Sequence, residues 1–401
     1  MAVQGIFASN QSIIGDRVGD FASGILQIYP TGTALLLALS SGMGKEGVAD
    51  TVFNWYEDSH ISGRTNVVSG GTSTTIVVGD GSTYVPGTVL LVEETGEILL
   101  VQASAGNSLT VIRGMSGTPT TGVTSAMNVY NIGNAREEAS GLPTAVTQQG
   151  HPRSNYTQIF RNGWAISGTA KAVKFTTGNK LAKNKADCGM YHAEDQEKAM
   201  LWGKKHIGTQ NGKQFRMTDG IVTQIEQYGG TVLSAASAAP AGSPIAGQLN
   251  LADFDGWIRN LYKKQIKGQP NERIAIGGDQ VVHVLNRCVK LDSVYNISQG
   301  ENKYGISVWE YVTPFGKLKL MTHPLMNESP LWQSQLYALH PAGIKRRVLR
   351  DTFPDDHDAS GKRIQGKDAD EGALTTEMGV EVKAAVTMGI LRNVQTPVKS
   401  S

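Results

Sequence analysis

The sequence has little of what many function classes require. Its 401 residues include two cysteines, Cys188 and Cys288. That is too few for a disulfide framework in a chain of this length, so two free thiols in a reducing compartment are expected. No apolar run approaches the ~20 residues of a membrane-spanning helix. The most apolar stretch, Ala34 to Leu39, is far shorter, and Met1-Ala2-Val3-Gln4-Gly5 shows no basic region leading into an apolar one. A secretory signal and a membrane span are therefore not expected. Charged residues make up only 18% and nearly cancel, with 37 Lys and Arg against 35 Asp and Glu and a net charge of +2. A protein that grips nucleic acid carries a basic excess to neutralise phosphates. A near-neutral chain can enclose DNA only as a wall.

Reactive constellations are missing as well. Ser41-Gly42-Met43-Gly44-Lys45 invites comparison with a phosphate-binding loop, but the first glycine of that motif would fall on Leu39, and Glu46 stands where Ser or Thr is needed. Cys188 and His192 are four apart on a helical stretch, with Asp195 and His206 beyond, yet no second pair closes a metal site. Nothing orients the Cys188/His192 couple for nucleophilic work. There is no Gly-x-Ser-x-Gly elbow and no His-Glu-x-x-His. Asp355-Asp356-His357-Asp358 reads as a solvated loop. No cofactor and no enzymatic activity are expected.

What is present is glycine, 47 of them, and a clear change of texture along the chain. Residues 1–54 read as an arm with one apolar patch that includes Leu35, Leu36 and Leu37. From 66 to 132, β-rich runs alternate with turn signals: Thr74–Val78, Val89–Val92, Ile98–Val101 and Leu109–Ile112, closed by Val129, Tyr130 and Ile132. Such spacing predicts a small antiparallel barrel or sandwich. Residues 133–182 are extended, with alternation around Ile159 and Trp164 that suggests a long hairpin rather than a core sheet. This stretch is basic, through Arg153, Arg161, Lys171, Lys174, Lys180, Lys183 and Lys185. Its charges suit acidic segments of a neighbouring subunit, either the loop Asp351 to Glu371 or the arm acids Asp16, Asp20, Glu46 and Asp50, better than they suit DNA.

One long helix is expected over 184–206, capped at Asn184, with a thin stripe of Ala186, Met190, Ala193, Met200 and Leu201 and a length of roughly 35 Å. Residues 230–248 read as a small-residue linker. A second helix follows Asn250, with Leu251, Phe254, Ile258, Leu261 and Tyr262 on one face and Gly268 and Pro270 beyond it. Arg273–Ile276 reads as a buried strand. Asp279 can cap a helix carrying Val281, Val282, Leu285 and Val289. A hairpin is expected at 307–322 and a strand at Leu336–Leu339. Leu374 to Leu391 reads as strand with turns at Gly379 and Gly389.

In that order the pieces resemble the tailed-phage major capsid proteins of the Hong Kong 97 (HK97) type, in the subgroup with a β domain inserted into the extended loop. The residues that carry the likeness are Phe53-Asn54-Trp55-Tyr56-Glu57-Asp58, Gly96-Glu97, Val111-Ile112-Arg113-Gly114-Met115-Ser116-Gly117-Thr118, Asn155-Tyr156-Thr157-Gln158-Ile159-Phe160 and Thr375-Thr376-Glu377-Met378-Gly379-Val380-Glu381-Val382. The resemblance implies an α+β, HK97-like capsid fold with a small all-β insertion domain. Residues 1–54 would be the N-terminal arm and 55–182 the extended loop, containing the insertion 66–132. Residues 183–244 would form the peripheral domain with spine helix 184–206, 245–371 the axial domain, and 372–401 the return to the peripheral domain.

It further implies a shell protein that assembles into hexamers and pentamers around double-stranded DNA, in the virion, after assembly in the bacterial cytoplasm. Its partners would be itself, portal, scaffold and decoration proteins, with weak contact to DNA. Arms and loops of this kind need partners for their apolar and basic residues. The expected contacts between subunits are Leu35, Leu36, Leu37, Trp55, Arg153, Ile159, Phe160, Arg161, Trp164, Lys171 and Lys174. Some relatives of this fold join Lys to Asn covalently with a Glu as base, but no residue here can be assigned to that role, and a shell without such bonds is expected. A protein-cage subunit of the same fold is the nearest alternative. An α/β enzyme with a β-rich accessory module is a more distant one.

Overall fold

In the computed structural model the chain is described at residues 44–58, 60, 62–147, 149–175, 179–238, 244–292, 298–299, 309–355 and 368–397. Strands β1 (Gly44–Gly47) and β2 (Val52–Glu57) come first. Trp55–Arg153 forms one compact unit, and the described residues on either side of it form the other.

Alternation closes the first unit into a barrel. Its strands are β3 (Arg64–Ser69), β4 (Thr75–Val78), β5 (Thr88–Val92), β6 (Ile98–Ala105), β7 (Ser108–Ile112) and β8 (Asn128–Asn134), arranged β3-β4-β7-β6-β5-β8. Every second residue points inward, so Ile76, Val78, Leu90, Val92, Leu99, Val101, Leu109 and Val111 are fully buried. Gly106, with φ +63°, supplies the left-handed residue that lets β6 turn directly into β7. Register shifts in the β3–β4, β5–β8 and β6–β7 pairs give the strands the extra curvature that closure requires.

The second unit resumes with β9 (His151–Tyr156) and β10 (Gln158–Ser167). A short helix, Gly168–Ala172, precedes the long one, which spans Lys180–Trp202 and so starts and ends earlier than its sequence pattern suggests. Asn179, not Asn184, is the cap: its side chain accepts from the backbone N–H groups of Leu181 and Ala182. Asn184 donates to the carbonyl of Ala165 instead. The helix stops at Gly203, where a Cβ would lie 2.4 Å from the Ala199 carbonyl oxygen. Its buried face is Cys188, His192, Gln196, Glu197, Met200 and Leu201. Ala186 is exposed and Met190 and Ala193 are half-buried. The stripe read from apolar residues misses the first half of this face, because the groups it covers, Asn162 and Thr376, are polar.

After the hairpin β11 (His206–Gln210) and β12 (Lys213–Met217) come the helix Ile221–Gln227 and β13 (Thr231–Ser234). Next are β14 (Ala236–Ala238), β15 (Pro244–Ala246) and β16 (Gln248–Leu249). The described part of the expected linker, 230–238 and 244–248, is therefore largely strand. The helix Leu251–Leu261 begins at Asn250, whose side chain accepts from Asp253 N–H, and buries Leu251, Phe254, Trp257, Ile258 and Leu261.

Then follow β17 (Glu272–Gly277), the helix Asp279–Asp292, β18 (Ser298–Gln299), β19 (Trp309–Thr313), β20 (Gly316–Thr322), β21 (Leu336–Leu339), β22 (Ile344–Asp355), β23 (Ala369–Val382), β24 (Gly389–Arg392) and β25 (Thr396–Pro397). Two sheets organise them. A seven-stranded mixed sheet runs β13-β24-β21-β17-β20-β19-β18, with β13 parallel to β24. A four-stranded sheet runs β1-β22-β23-β10. The described fold is α+β.

The four-stranded sheet overturns three expectations. β10 does not fold back as a long hairpin; it pairs antiparallel with β23, far along the chain, from Gln158 opposite Met378 to Ser167 opposite Ala369. β23 runs straight through Gly379, where a turn was expected. A Cβ there would lie 2.6 Å from the Tyr156 carbonyl oxygen and 2.7 Å from the Phe53 ring, so this glycine serves close approach rather than a bend. And Phe160 and Trp164 are buried within their own chain, Phe160 in a core with Met200, Leu201, Met378, Val380 and Val382.

Candidate functional site

For a chain of this kind the functional groups are those that fix its shape and those left facing outward. Three constellations fix it, and each joins segments quoted above for the family likeness.

In the barrel, Glu97 and Arg113 form a buried ion pair. Arg113 Nε donates to Glu97 Oε1 at 3.0 Å and Nη2 to Oε2 at 2.6 Å. Gly114 N–H adds a donor to Oε1 at 3.3 Å. The remaining guanidinium donors go to the carbonyls of Gly71, at 2.7 Å, and Thr121. Gly114, Ser116 and Gly117 all have positive φ, so the backbone after Arg113 turns back at once. Thr118 then accepts from Ile98 N–H and donates to the Met115 carbonyl. Gly96-Glu97 and Val111–Thr118 are thus two halves of one clasp.

In the second unit, Asn155 is fully buried. Its amide nitrogen donates to Thr218 Oγ1 at 3.1 Å, the Asp219 carbonyl at 3.0 Å and the Val380 carbonyl at 2.7 Å. Its oxygen accepts from the N–H groups of Tyr156 and Asp219. Gln224 completes the knot by donating to the carbonyls of Asp219 and Val380 and accepting from Val382 N–H. Burial raises the Asp219 pKa.

The third constellation is centred on side chains of β23. Glu377 accepts from Thr157 Oγ1 at 3.1 Å, Arg216 Nη2 at 3.3 Å and Arg350 Nε at 2.9 Å. Glu381 is paired with Arg347 and, at 2.9 Å, with Lys383. Arg347 also reaches Glu46 of β1 at 2.6 Å, and Lys345 reaches it at 3.0 Å. Lys345 first, then Arg347, hold the Glu46 carboxyl below its usual range. Lys45 pairs with Asp351 at 2.5 Å. β1 is thereby fixed as a parallel edge strand along Lys345–Val348. The glycine-lysine pair once compared with a phosphate loop is part of this extended strand.

The remaining candidates separate cleanly. Cys188 donates to the Asn162 carbonyl, while His192 bonds Asn162 Oδ1 and Thr376 Oγ1, both at 2.7 Å. Burial raises the thiol pKa and lowers the imidazole pKa. Both groups are spent on strands β10 and β23. Among the described residues, no three of His, Cys, Asp and Glu come together to hold a metal ion, and no helix is long and apolar enough to cross a membrane.

Of the expected contacts between subunits, Leu35, Leu36 and Leu37 lie outside the described residues, as do residues 356–367 of the acidic loop. Trp55 is buried, with its indole N–H on Glu57. Arg153 lies 4.0 Å from Glu57, Arg161 pairs with Asp355, and Lys171 pairs with Asp370 at 2.5 Å. Part of the basic stretch is therefore matched within the chain. Ile159, 50% exposed, and Lys174 remain outward.

A family model described as SU10 major capsid protein matches residues 4–395. The major capsid protein of Pseudomonas phage PaMx41 is 25% identical over 394 residues, covering 94% of this chain and 93% of that one. Among solved structures, the capsid of Myoviridae phage XM1 aligns over 97% of this chain and 99% of its own, at 11% identity and a TM-score of 0.44. A structure from Mycobacterium phage Bobi aligns over 96% of each chain at 8% identity, again with a TM-score of 0.44. The match by sequence runs nearly from one end to the other, and the chain belongs to the SU10 major capsid protein family, a family of structural proteins of phage capsids.

Proposed function

We propose that the chain is the repeating subunit of an icosahedral head, built on an HK97-like fold and assembled as hexamers and pentamers around double-stranded DNA. The observation that carries this is the family match across residues 4–395. The order of elements supports it: edge strand, inserted barrel, long helix, mixed sheet, returning strand. In this scheme the helix Lys180–Trp202 is the spine of a peripheral domain (183–244, completed by 372–401). Residues 245–371 form the axial domain, and 1–54 are an arm whose last strand, β1, is held on β22 of its own chain while the part before it reaches a neighbour. Residues 55–182 are the extended loop, which contains the barrel and whose far end, β10, is built into the four-stranded sheet.

Assembly takes place in the bacterial cytoplasm, with portal and scaffold proteins as partners and decoration proteins added to the outside. Ile159 and Lys174 are contact residues, together with Leu35–Leu37. A shell reading also suits the near-neutral charge, because hundreds of copies close by repeated contacts rather than by gripping phosphates.

Negative-stain electron microscopy with sedimentation of the purified chain tests this. Closed shells, capsomer sheets or discrete pentamers and hexamers are the expected products. A species that stays monomeric at high concentration, alone and with its phage scaffold co-expressed, overturns it.

A further inference from the structure

The barrel is unusually poor in charge. From Arg64 to Asn134 the charged side chains are Arg64, Asp80, Glu93, Glu94, Glu97 and Arg113, and the lysines nearest in sequence are Lys45 and Lys171. Glu97 and Arg113 are buried together, and Arg64 is tied to Glu93 at 2.7 Å. Exposed sheets in water use lysine to resist association, and the centres of protein interfaces are depleted of it.

Part of the outward face is apolar as well, although Asn66 and Gln102 are exposed elsewhere on it. Thr88, Leu90 and Val92 of β5 point in, which turns Val89 and Leu91 out. Leu91 stands opposite Ile98 on one side and Tyr130 on the other. Val89 stands opposite Leu100, and Leu100 opposite Ile112. Two apolar rows, each crossing three strands, thus span four adjacent strands; Tyr130 is 46% and Ile112 38% exposed, and Val89, Leu91, Ile98 and Leu100 between them are half-buried. The solvent face of an antiparallel sheet is normally polar.

The same unit carries an apolar peptide with nothing to lie on. After β8 the chain is irregular, and among the described residues 141–147 take part in no helix or strand and make no backbone hydrogen bond. Leu142 is 99% exposed. Pro143 biases Leu142 toward extended backbone and removes a donor, so the peptide is suited to docking by side chains rather than by adding a strand. In an extended chain Leu142 and Val146 face the same way.

We propose that the outward face of the barrel is an interface, covered in the assembled shell by a second copy of this chain that lays its Leu142–Val146 stretch across the two rows. This rests on the shell-subunit reading. A copy is the occupant because every chain carries both halves of the contact: the exposed, uncharged and apolar Leu142–Val146 stretch and the rows it would cover. Each copy offers one peptide and one face, so the exchange is balanced around a ring of subunits.

The test is a full-length chain carrying Tyr130→Cys and Leu142→Cys, both at exposed positions, compared with each single variant. Assembled particles and dispersed subunits are oxidised and run on non-reducing gels; a disulfide needs Cα atoms within about 7 Å. The expected result is a shift from monomer to dimer and higher bands in particles of the double variant, absent from the single variants and from dispersed protein. Particles that assemble but stay monomeric on the gel overturn the docking while leaving the shell reading intact. A cross-link within one chain overturns it by making the peptide its own chain's cover. Dimers of the Tyr130→Cys single variant overturn it by placing like faces together. If the unmodified chain forms no particle under any assembly condition, both readings fail.

Discussion

The barrel and the four-stranded sheet both bury carboxylates, but they neutralise them differently. In the barrel a single acid, Glu97, meets a single base, Arg113, 16 residues away, and the remaining guanidinium donors go to backbone carbonyls. In the sheet, Glu377 meets Arg216 and Arg350, Glu381 meets Arg347 and Lys383, and the arm strand joins through Glu46 on Arg347. The first arrangement is local and has no redundancy. The second draws strands from both ends of the described chain and spreads its charge over several partners. Breaking a buried pair leaves an uncompensated charge, whereas a network can lose one member and still satisfy the rest.

This contrast orders the expected effects of substitution. Arg113→Ala should be the most damaging, at about 4 kcal/mol, because it strands Glu97 in the barrel core. Proteolysis of the full-length chain should then cut within 64–134 while the second unit keeps its resistance. Asn155→Ala comes next, at roughly 3 kcal/mol, since several buried groups lose a partner together. It tests whether the second unit has its own point of concentration: a lowered midpoint in denaturant unfolding, with barrel fragments still resistant to protease, is the expected outcome. Arg350→Ala should cost least, about 1 kcal/mol, because Arg350 is partly exposed and Glu377 keeps Arg216 and Thr157. An Arg350→Ala loss as large as that of Arg113→Ala would erase the distinction between the two regions.

The same contrast explains what could be read in advance. The barrel strands are legible because alternation and turn residues act over a few positions, and the strands pair with near neighbours in sequence. Asn250 and the face from Leu251 to Leu261 are legible for the same reason. The pairing of β10 with β23 is not, because nothing local at Ile159 or Trp164 reports a partner more than 200 residues on. Gly379 reads as a turn from composition, and the Tyr156 carbonyl and Phe53 ring packed against it show otherwise. The long helix is misplaced because its buried face begins with Cys188, His192 and Gln196, which a search for apolar periodicity passes over. Glu97, Arg113, Asn155 and Glu377 all fall in segments that mark the family, yet their roles become visible only when the segments meet.

The barrel's first and last strands, β3 and β8, lie side by side, with Arg64 opposite Tyr130. The polypeptide therefore enters and leaves the domain about one strand spacing apart, near 5 Å. For heredity this means that a coding segment for the barrel can be acquired, exchanged or lost in frame without altering the span its flanks must bridge. The two units can then change at different rates within one gene.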